Sequence, residues 1–170
     1  ALLLIVTGLM SLLKAITAFT VAHSITLALA TLGMIQLPPA PTEAIIALSI
    51  VFLAGEIIHK RQGRMGVTER WPWLIAFIFG LFHGLGFAGA LAEIGLPQHE
   101  IPLALFMFNV GVETGQLLFI AVVLSLIALL KRLPLSTPQG AWQVVPYSIG
   151  GVAAYWSIDR VLSFLPVFPI

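Results

Sequence analysis

Six apolar runs follow one another along this chain, and five of them are long enough to cross a lipid bilayer. We place them at residues 1–13, 15–36, 42–59, 71–94, 101–130 and 142–166. A helix rises about 1.5 Å per residue, so about 20 residues span the roughly 30 Å hydrocarbon core. Apolar and polar residues do not alternate within the runs, which excludes the strands of a membrane barrel. The runs predict an all-α polytopic transmembrane helix bundle.

Composition supports a single membrane domain over residues 1–170. The chain is 59% hydrophobic and 9% charged, with a mean hydropathy of +1.07, which leaves too little charge to cover a soluble domain. A net charge of +1 gives no reason to expect a nucleic acid partner. The chain has no cysteine, which excludes disulfides, thiolate metal sites and cysteine nucleophiles.

The basic residues predict the orientation. If the runs cross the bilayer in alternating directions, seven of the eight Lys and Arg residues fall on one side, and the other side receives the turn at 37–41 and the loop at 95–100. By the positive-inside rule the basic side is cytoplasmic, and both ends of the chain lie outside. The first run has only 13 residues, so we expect it to be the end of a longer helix, with an upstream segment missing.

A glycine motif in the fourth run has two readings. Gly84, Gly86 and Gly89 match G-x-G-x-x-G, but a dinucleotide site needs a preceding strand and water for the ligand, and this motif lies within an apolar helix. We therefore interpret the glycines through helix packing. The G-x-x-x-G pairs Gly80 with Gly84 and Gly111 with Gly115 let helix backbones approach closely.

Polar side chains within the runs are the candidate functional residues. A charged group in hydrocarbon costs about 2.5–3.5 kcal/mol on insertion scales, so each of them is expected to point into the bundle. Asn109, Glu113 and Gln116 follow i, i+4, i+7 spacing and share one helix face. His23, His83 and Glu113 lie about 12–17 Å from the nearer span end. The full set of candidates is His23, Glu56, His83, Asn109, Glu113 and Gln116.

Each candidate also has a structural interpretation. His23 alone could hydrogen-bond a neighbouring helix, and the amides could satisfy Glu113. Glu56 lies about one turn from a span end, where it can reach the interface or pair with Lys60. The remaining hydroxyls can return to carbonyls of their own helices, a reading that covers Thr20, Thr26 and Ser49.

The combination of two imidazoles and a carboxylate on three helices favours a metal ion. Imidazole and carboxylate suit divalent Zn, Ni, Cu or Fe. Ionised Glu113 would balance the charge of such an ion, amide oxygens would replace its lost water, and binding would release protons.

A weak internal repeat appears at an offset of 60 residues. It aligns residues 19–30 with residues 79–90, which places His23 on His83, and it places Ser49 on Asn109 and Glu56 on Gln116. The aligned runs would cross the membrane in the same direction, which predicts a parallel duplication about an axis along the membrane normal.

Four blocks, "AFTVAHSITLALA", "EAIIALSIVFLAGE", "FGLFHGLGFAGALAEIGLP" and "FNVGVETGQL", closely resemble the HupE/UreJ family of membrane proteins. The resemblance implies a permease for nickel or another transition metal, linked to hydrogenase and urease accessory functions, in the bacterial inner membrane. By resemblance, the family's motif positions are His23, His83, Asn109, Glu113 and Gln116, and Glu56 matches a position that is often polar.

The chain departs from the family pattern in two respects. The family's first helix carries a His and an Asp that would lie before residue 1, and the branch with the "HGLGF" block is broader than the nickel-linked one.

Three functions are compatible with these residues. The first is a metal permease or metal-delivery protein that uses His23, His83 and Glu113. The second is an intramembrane zinc hydrolase, which would need further ligands and bound water. The third is a structural or assembly subunit that docks on other membrane subunits, or on a second copy, through its glycine faces.

Overall fold

A computed structural model describes residues 1–94, 100–133 and 140–165, except for the side chains of residues 90 and 92–94. All the regular structure in these ranges is helical, which confirms the all-α prediction. The seven helices are α1 (Leu2–Ile5), α2 (Leu9–Thr31), α3 (Pro39–Arg61), α4 (Val67–Arg70), α5 (Pro72–Ile94), α6 (Ile101–Leu130) and α7 (Ala141–Phe164).

Within the described residues, four helices are long and apolar enough to cross a membrane, so the chain is a multi-pass membrane protein. They are α2, α3, α6 and the Pro72–Gly89 part of α5. Helix α7 has 24 residues and contains Pro146. Three features of the sequence analysis lie outside the described residues, namely most of the loop at 95–100, the stretch 134–139 and the predicted span end at residue 166.

The first interruption between helices lies at Gly8 and not at Lys14, so the predicted division between runs 1–13 and 15–36 is wrong. Gly8 has a φ of +92°, which glycine adopts freely. Helix α2 then passes through Lys14 without interruption, and the Lys14 side chain is exposed. A long lysine side chain can reach an interface from within a helix, so its charge does not mark the helix end.

Helix α3 begins three residues before the predicted start at residue 42. Pro39 is its first residue, a position that tolerates proline because the missing N–H has no partner in the helix. Thr42 therefore does not cap the helix. Its hydroxyl donates to the Pro38 carbonyl at 3.0 Å.

The long helices pack in the order α6, α2, α5, α3, α7, and the α2–α5 contact is the most extensive. Gly80 lies against the backbone of Phe19, and Gly84 lies against the His23 carbonyl and the Thr26 hydroxyl. Residue numbers rise together along both helices, so α2 and α5 are parallel. The first G-x-x-x-G pair thus brings two backbones together as predicted.

The second G-x-x-x-G pair, Gly111 with Gly115, does not bring α6 against another described helix. A Cβ atom built on either glycine would meet nothing within 4 Å in the described part of the chain. These two glycines lie on an exposed face of α6. The motif permits close approach, but here no described helix uses it.

The other neighbouring pairs are antiparallel. Thr17 of α2 bonds Glu113 of α6, which sets the α2–α6 pairing. Phe52 of α3 packs on Phe79 of α5. Helix α7 is fastened to α3 by a hydrogen bond from the Ser157 hydroxyl to the Ala44 carbonyl at 3.1 Å. An Arg160–Glu43 ion pair of 2.8 Å adds a second α3–α7 contact.

These pairings show the parallel symmetry that the 60-residue repeat predicts. Adding 60 to the numbers of α2 and α3 gives 69–91 and 99–121, ranges that largely overlap α5 and α6. Phe52 of α3 packs on Phe79 of α5, and the shift of 60 turns this pair into Val112 of α6 and Phe19 of α2. The observed α2–α6 contacts Thr17–Glu113 and His23–Phe108 lie on either side of that position. The two helix pairs therefore pack in the same register around the α2–α5 contact.

Seven basic residues gather at one end of the bundle, which we call the basic end. Contacts between chain segments hold this end together. The Arg61 guanidinium lies 6.0 Å from the ring centre of Trp142, and Lys60 donates to the Ile5 carbonyl at 2.5 Å. The residues of the basic end are Lys14, Lys60, Arg61, Arg64, Arg70, Lys131 and Arg132.

Candidate functional site

His83 lies in the middle of α5, with one ring nitrogen engaged. Its Nδ1 is 2.7 Å from the Phe79 carbonyl, one turn earlier in the helix. A carbonyl only accepts hydrogen bonds, so Nδ1 carries the proton and donates it. The lone pair of a neutral ring is then on Nε2, and a metal-ligating histidine is held in the same way.

His23 is more deeply buried than His83 and has no polar contact. His23 is 2% exposed, and neither ring nitrogen has a hydrogen-bond partner within the described residues. Phe19 and Phe108 stack near its ring at centroid distances of 5.9 and 6.2 Å, and Phe87 meets it edge-on at 5.6 Å. The imidazole is therefore enclosed by aromatic rings.

Phe19 connects the two histidines. Its ring stacks near His23 and meets His83 in a T-shaped contact at 5.2 Å. The two imidazoles come from parallel helices whose approach depends on Gly80 and Gly84. The structure thus brings both predicted histidines to one aromatic ring.

The predicted face of α6 meets a row of hydroxyls on α2. The Thr17 hydroxyl donates to the Glu113 carboxylate at 3.2 Å. Thr20 follows Thr17 by three residues and lies on the same face of α2. We call the set Thr17, Thr20, Asn109, Glu113 and Gln116 the polar seam.

Several polar atoms of the seam have no hydrogen-bond partner within the described residues. Asn109 donates its amide to the Leu105 carbonyl at 2.8 Å, so its oxygen is left without a donor. The Thr20 hydroxyl and the Gln116 oxygen are also buried without partners in the described part of the chain. Glu113 receives a hydrogen bond from Thr17 alone among the described residues.

Unpartnered polar atoms are concentrated at this site. Of the seven buried side-chain atoms without a hydrogen-bond partner in the described ranges, five belong to the polar seam and His23, which contributes both ring nitrogens. Each such atom costs about 1–3 kcal/mol. A cluster of them points to a ligand that satisfies them when it is bound.

A cavity gives access to the polar seam from the end opposite the basic end. Its volume is about 320 Å³, and it lies between α2 and α6. Leu32 and Ile101 line its outer part, where α2 ends and α6 begins. Ser24 and Asn109 line the part that is nearest the middle of the two helices.

Glu56 lies apart from the other candidates, at the basic end of α3. Its carboxylate accepts the Thr68 backbone N–H at 2.7 Å and lies 3.8 Å from Nδ1 of His59. Gly66 packs so closely on this carboxylate that any larger residue would displace it. The neighbouring Lys60 pairs with Glu69 at 3.2 Å and not with Glu56.

Sequence reasoning missed three contributors. Phe19 gave no signal because an aromatic residue in an apolar run is unremarkable. Thr17 and Thr20 had a signal in their spacing, which matches the polar face of α6. Thr26 and Ser49 bond carbonyls of their own helices as predicted, but the same prediction for Thr20 is wrong because its hydroxyl has no partner among the described residues.

The polar groups do not form one coordination shell. In residues 1–94, 100–133 and 140–165, no three His, Asp or Glu side chains are grouped to hold a metal ion. His83 belongs to α5, His23 contacts both Phe87 of α5 and Phe108 of α6, and Glu113 lies on the α6 side of α2. The candidates therefore form a line through the bundle.

Apolar helices packed around such a line of polar groups define a multi-pass membrane protein with an intramembrane polar site. The chain belongs to the HupE/UreJ family, because the family model described as HupE / UreJ protein matches residues 1–160. This family is linked to the handling of nickel and other metals. No curated protein and no solved structure matches the chain.

Proposed function

We propose that this protein is a permease for a divalent transition-metal ion, nickel being the leading candidate, in the bacterial inner membrane. Helices α2, α3, α5, α6 and α7 are its five complete spans, residues 1–170 form one transmembrane domain, and the basic end faces the cytoplasm. The observation that carries the proposal is the group of unpartnered nitrogens and oxygens at His23 and along the polar seam.

The imidazoles would supply the nitrogen ligands of the ion. Neutral imidazole suits Ni, Zn, Cu and Fe in divalent form. The bond from His83 to the Phe79 carbonyl leaves Nε2 free to act as a ligand, and His23 offers a second nitrogen beside the same Phe19 ring.

Glu113 would balance the charge of the ion on the α6 side of α2. Oxygens of Asn109 and Gln116 would replace water that the ion loses in the membrane. Glu56 is left out of this path because its carboxylate already accepts a hydrogen bond from the first turn of α4.

Uptake of radioactive nickel or zinc into proteoliposomes tests the proposal. His83→Asn keeps an amide that can donate to the Phe79 carbonyl but removes Nε2, so it isolates the ligand atom. We expect uptake to fall about tenfold or more, the loss that corresponds to about 1.4 kcal/mol. His23→Ala should have a similar effect.

His59→Asn is the matched control, because the His59 side chain is 52% exposed at the basic end. It should leave uptake unchanged. Full uptake in both the His23 and His83 variants would disprove the proposal.

A further inference from the structure

A groove runs along the contact between α3 and α7. It consists of two cavities of about 300 and 370 Å³, which adjoin because Ile50 and Trp156 line both of them. The first cavity begins at Glu43 and Arg160, near the end opposite the basic end, and the second reaches Ser148. The groove therefore starts at one edge of the bundle and follows α7 past its middle.

The walls of this groove are apolar. Ala47 of α3 and Ala153 of α7 line it and are buried, and their short side chains leave space between the two helices. Val152 and Trp156 stand at its rim, where they are 53% and 55% exposed. The groove is therefore open to the lipid that surrounds a membrane-spanning bundle.

The groove has the depth and length of one lipid leaflet. Glu43 lies four residues after the first residue of α3, and Arg160 lies four residues before the last residue of α7. Both are thus about 6 Å inside the helix ends, where lipid headgroups meet the hydrocarbon. Arg160 and Ser148 are 12 residues apart, or about 18 Å along the helix. One leaflet contributes roughly 15 Å of hydrocarbon, so the groove can follow one acyl chain.

An ion pair forms the polar mouth of the groove. Nε of Arg160 lies 2.8 Å from one carboxylate oxygen of Glu43, and the two side chains are 49% and 43% exposed. This contact joins one donor to one acceptor, whereas a guanidinium carries five donors and a carboxylate has two acceptor oxygens. Exposed ion pairs contribute little to stability. The mouth therefore presents donors and an acceptor side by side to a ligand.

These charges favour one class of headgroup. A phosphate group accepts hydrogen bonds from a guanidinium, often two at once. A primary ammonium group has three N–H donors for a carboxylate. A phosphoethanolamine headgroup carries both groups and matches the pair charge for charge. An anionic headgroup without an amine would bring no cation to Glu43.

We propose that the Glu43–Arg160 pair and the groove below it bind one molecule of phosphatidylethanolamine. The phosphate contacts Arg160, the ammonium contacts Glu43, and one acyl chain passes Trp156 towards Ser148. The lipid joins α3 to α7, because its contacts come from both helices. The site lies at the α7 side of the bundle, away from the α2–α6 contact, and does not depend on metal transport.

Native mass spectrometry of the purified protein, titrated with lipids that have identical acyl chains, tests the site. The first phosphatidylethanolamine should bind about tenfold more tightly than phosphatidylcholine, whose trimethylated amine has no N–H for Glu43. Glu43→Leu should bind these two lipids equally. It should also bind phosphatidylglycerol more tightly than wild type does, because Arg160 loses its anionic partner. Val152→Trp fills the groove and should weaken binding of all these lipids in the same proportion.

Two controls separate lipid recognition from the packing of the helices. Ser157→Ala removes the other polar contact between α3 and α7, the 3.1 Å hydrogen bond to the Ala44 carbonyl, and should keep the preference for phosphatidylethanolamine. Glu69→Gln, in the ion pair with Lys60 at the basic end, should keep it as well.

Three results would overturn the inference. The first is equal binding of phosphatidylethanolamine and phosphatidylcholine by the wild-type protein. The second is tighter binding of phosphatidylglycerol than of phosphatidylethanolamine by the wild type, which would make the mouth an anionic-lipid site of Arg160 alone. The third is a loss of preference in Ser157→Ala as large as that in Glu43→Leu, which would assign the effect to helix packing.

Discussion

Gly84→Ala is the substitution for which the structure gives the sharpest expectation. A Cβ atom at Gly84 would meet the His23 carbonyl oxygen and the Thr26 hydroxyl at less than contact distance, and the Leu27 amide nitrogen at 3.0 Å. Two of these three atoms are backbone atoms, which cannot rotate away. The α2 and α5 backbones must therefore move apart.

The expected loss of stability follows from two opposing effects. Overpacking of a tight contact costs about 1–3 kcal/mol, and rigid backbone neighbours favour the upper part of this range. Alanine has a helix propensity about 1 kcal/mol better than glycine. The net destabilisation of Gly84→Ala is therefore about 2 kcal/mol. Gly111→Ala has only the favourable effect, because nothing lies within 4 Å of its Cβ position.

Reversible unfolding in mixed micelles, followed by circular dichroism, measures this difference. The two variants should differ by about 3 kcal/mol in unfolding free energy, with opposite signs relative to wild type. Gly84→Ala should also weaken metal binding, because it shifts His23 relative to His83. Equal effects of the two substitutions would refute the packing argument.

Two further predictions concern the basic end. Glu56→Ala leaves the Thr68 N–H unpaired, at a cost of about 1–3 kcal/mol, so trypsin should cleave faster after Arg64 while metal uptake persists. Glu43→Ala, at the opposite end of α3, is the control and should not change trypsin cleavage after Arg64. If the Glu56→Ala variant is cleaved no faster than wild type, the hydrogen bond from Thr68 to Glu56 does not hold this segment. The chain has no cysteine, so Met65→Cys, at a residue that is 78% exposed, is a unique label. It should react with impermeant maleimide only from the cytoplasmic side, and labelling from outside would invert the orientation.

The helices could be predicted from the sequence because their cause is local. Long apolar runs leave the backbone no partner but itself, so the helices of the bundle follow from composition. The exact ends of the helices could not be predicted as well from the sequence. Lys14 suggested a boundary through its charge, whereas the break occurs at Gly8, where the backbone takes a positive φ that the sequence does not reveal.

The site was predictable only in part, because contacts between helices are not encoded in spacing along one helix. The face formed by Asn109, Glu113 and Gln116 could be predicted from i, i+4, i+7 spacing. Its partners could not be predicted with the same certainty, since a threonine hydroxyl chooses between its own helix and a neighbour according to packing. Thr26 makes the first choice and Thr17 makes the second.

The difference between the two symmetric helix pairs is what ties structure to function in this fold. Both pairs flank the α2–α5 contact in one register. Within the described residues, the centre of the α2–α6 pair carries a carboxylate and unpartnered oxygens, whereas the α3–α5 pair has Leu53 at the position that corresponds to Glu113. Helix α2 is the element common to the imidazole pair and the polar seam. Two groups of side chains that share one helix are displaced together whenever that helix moves.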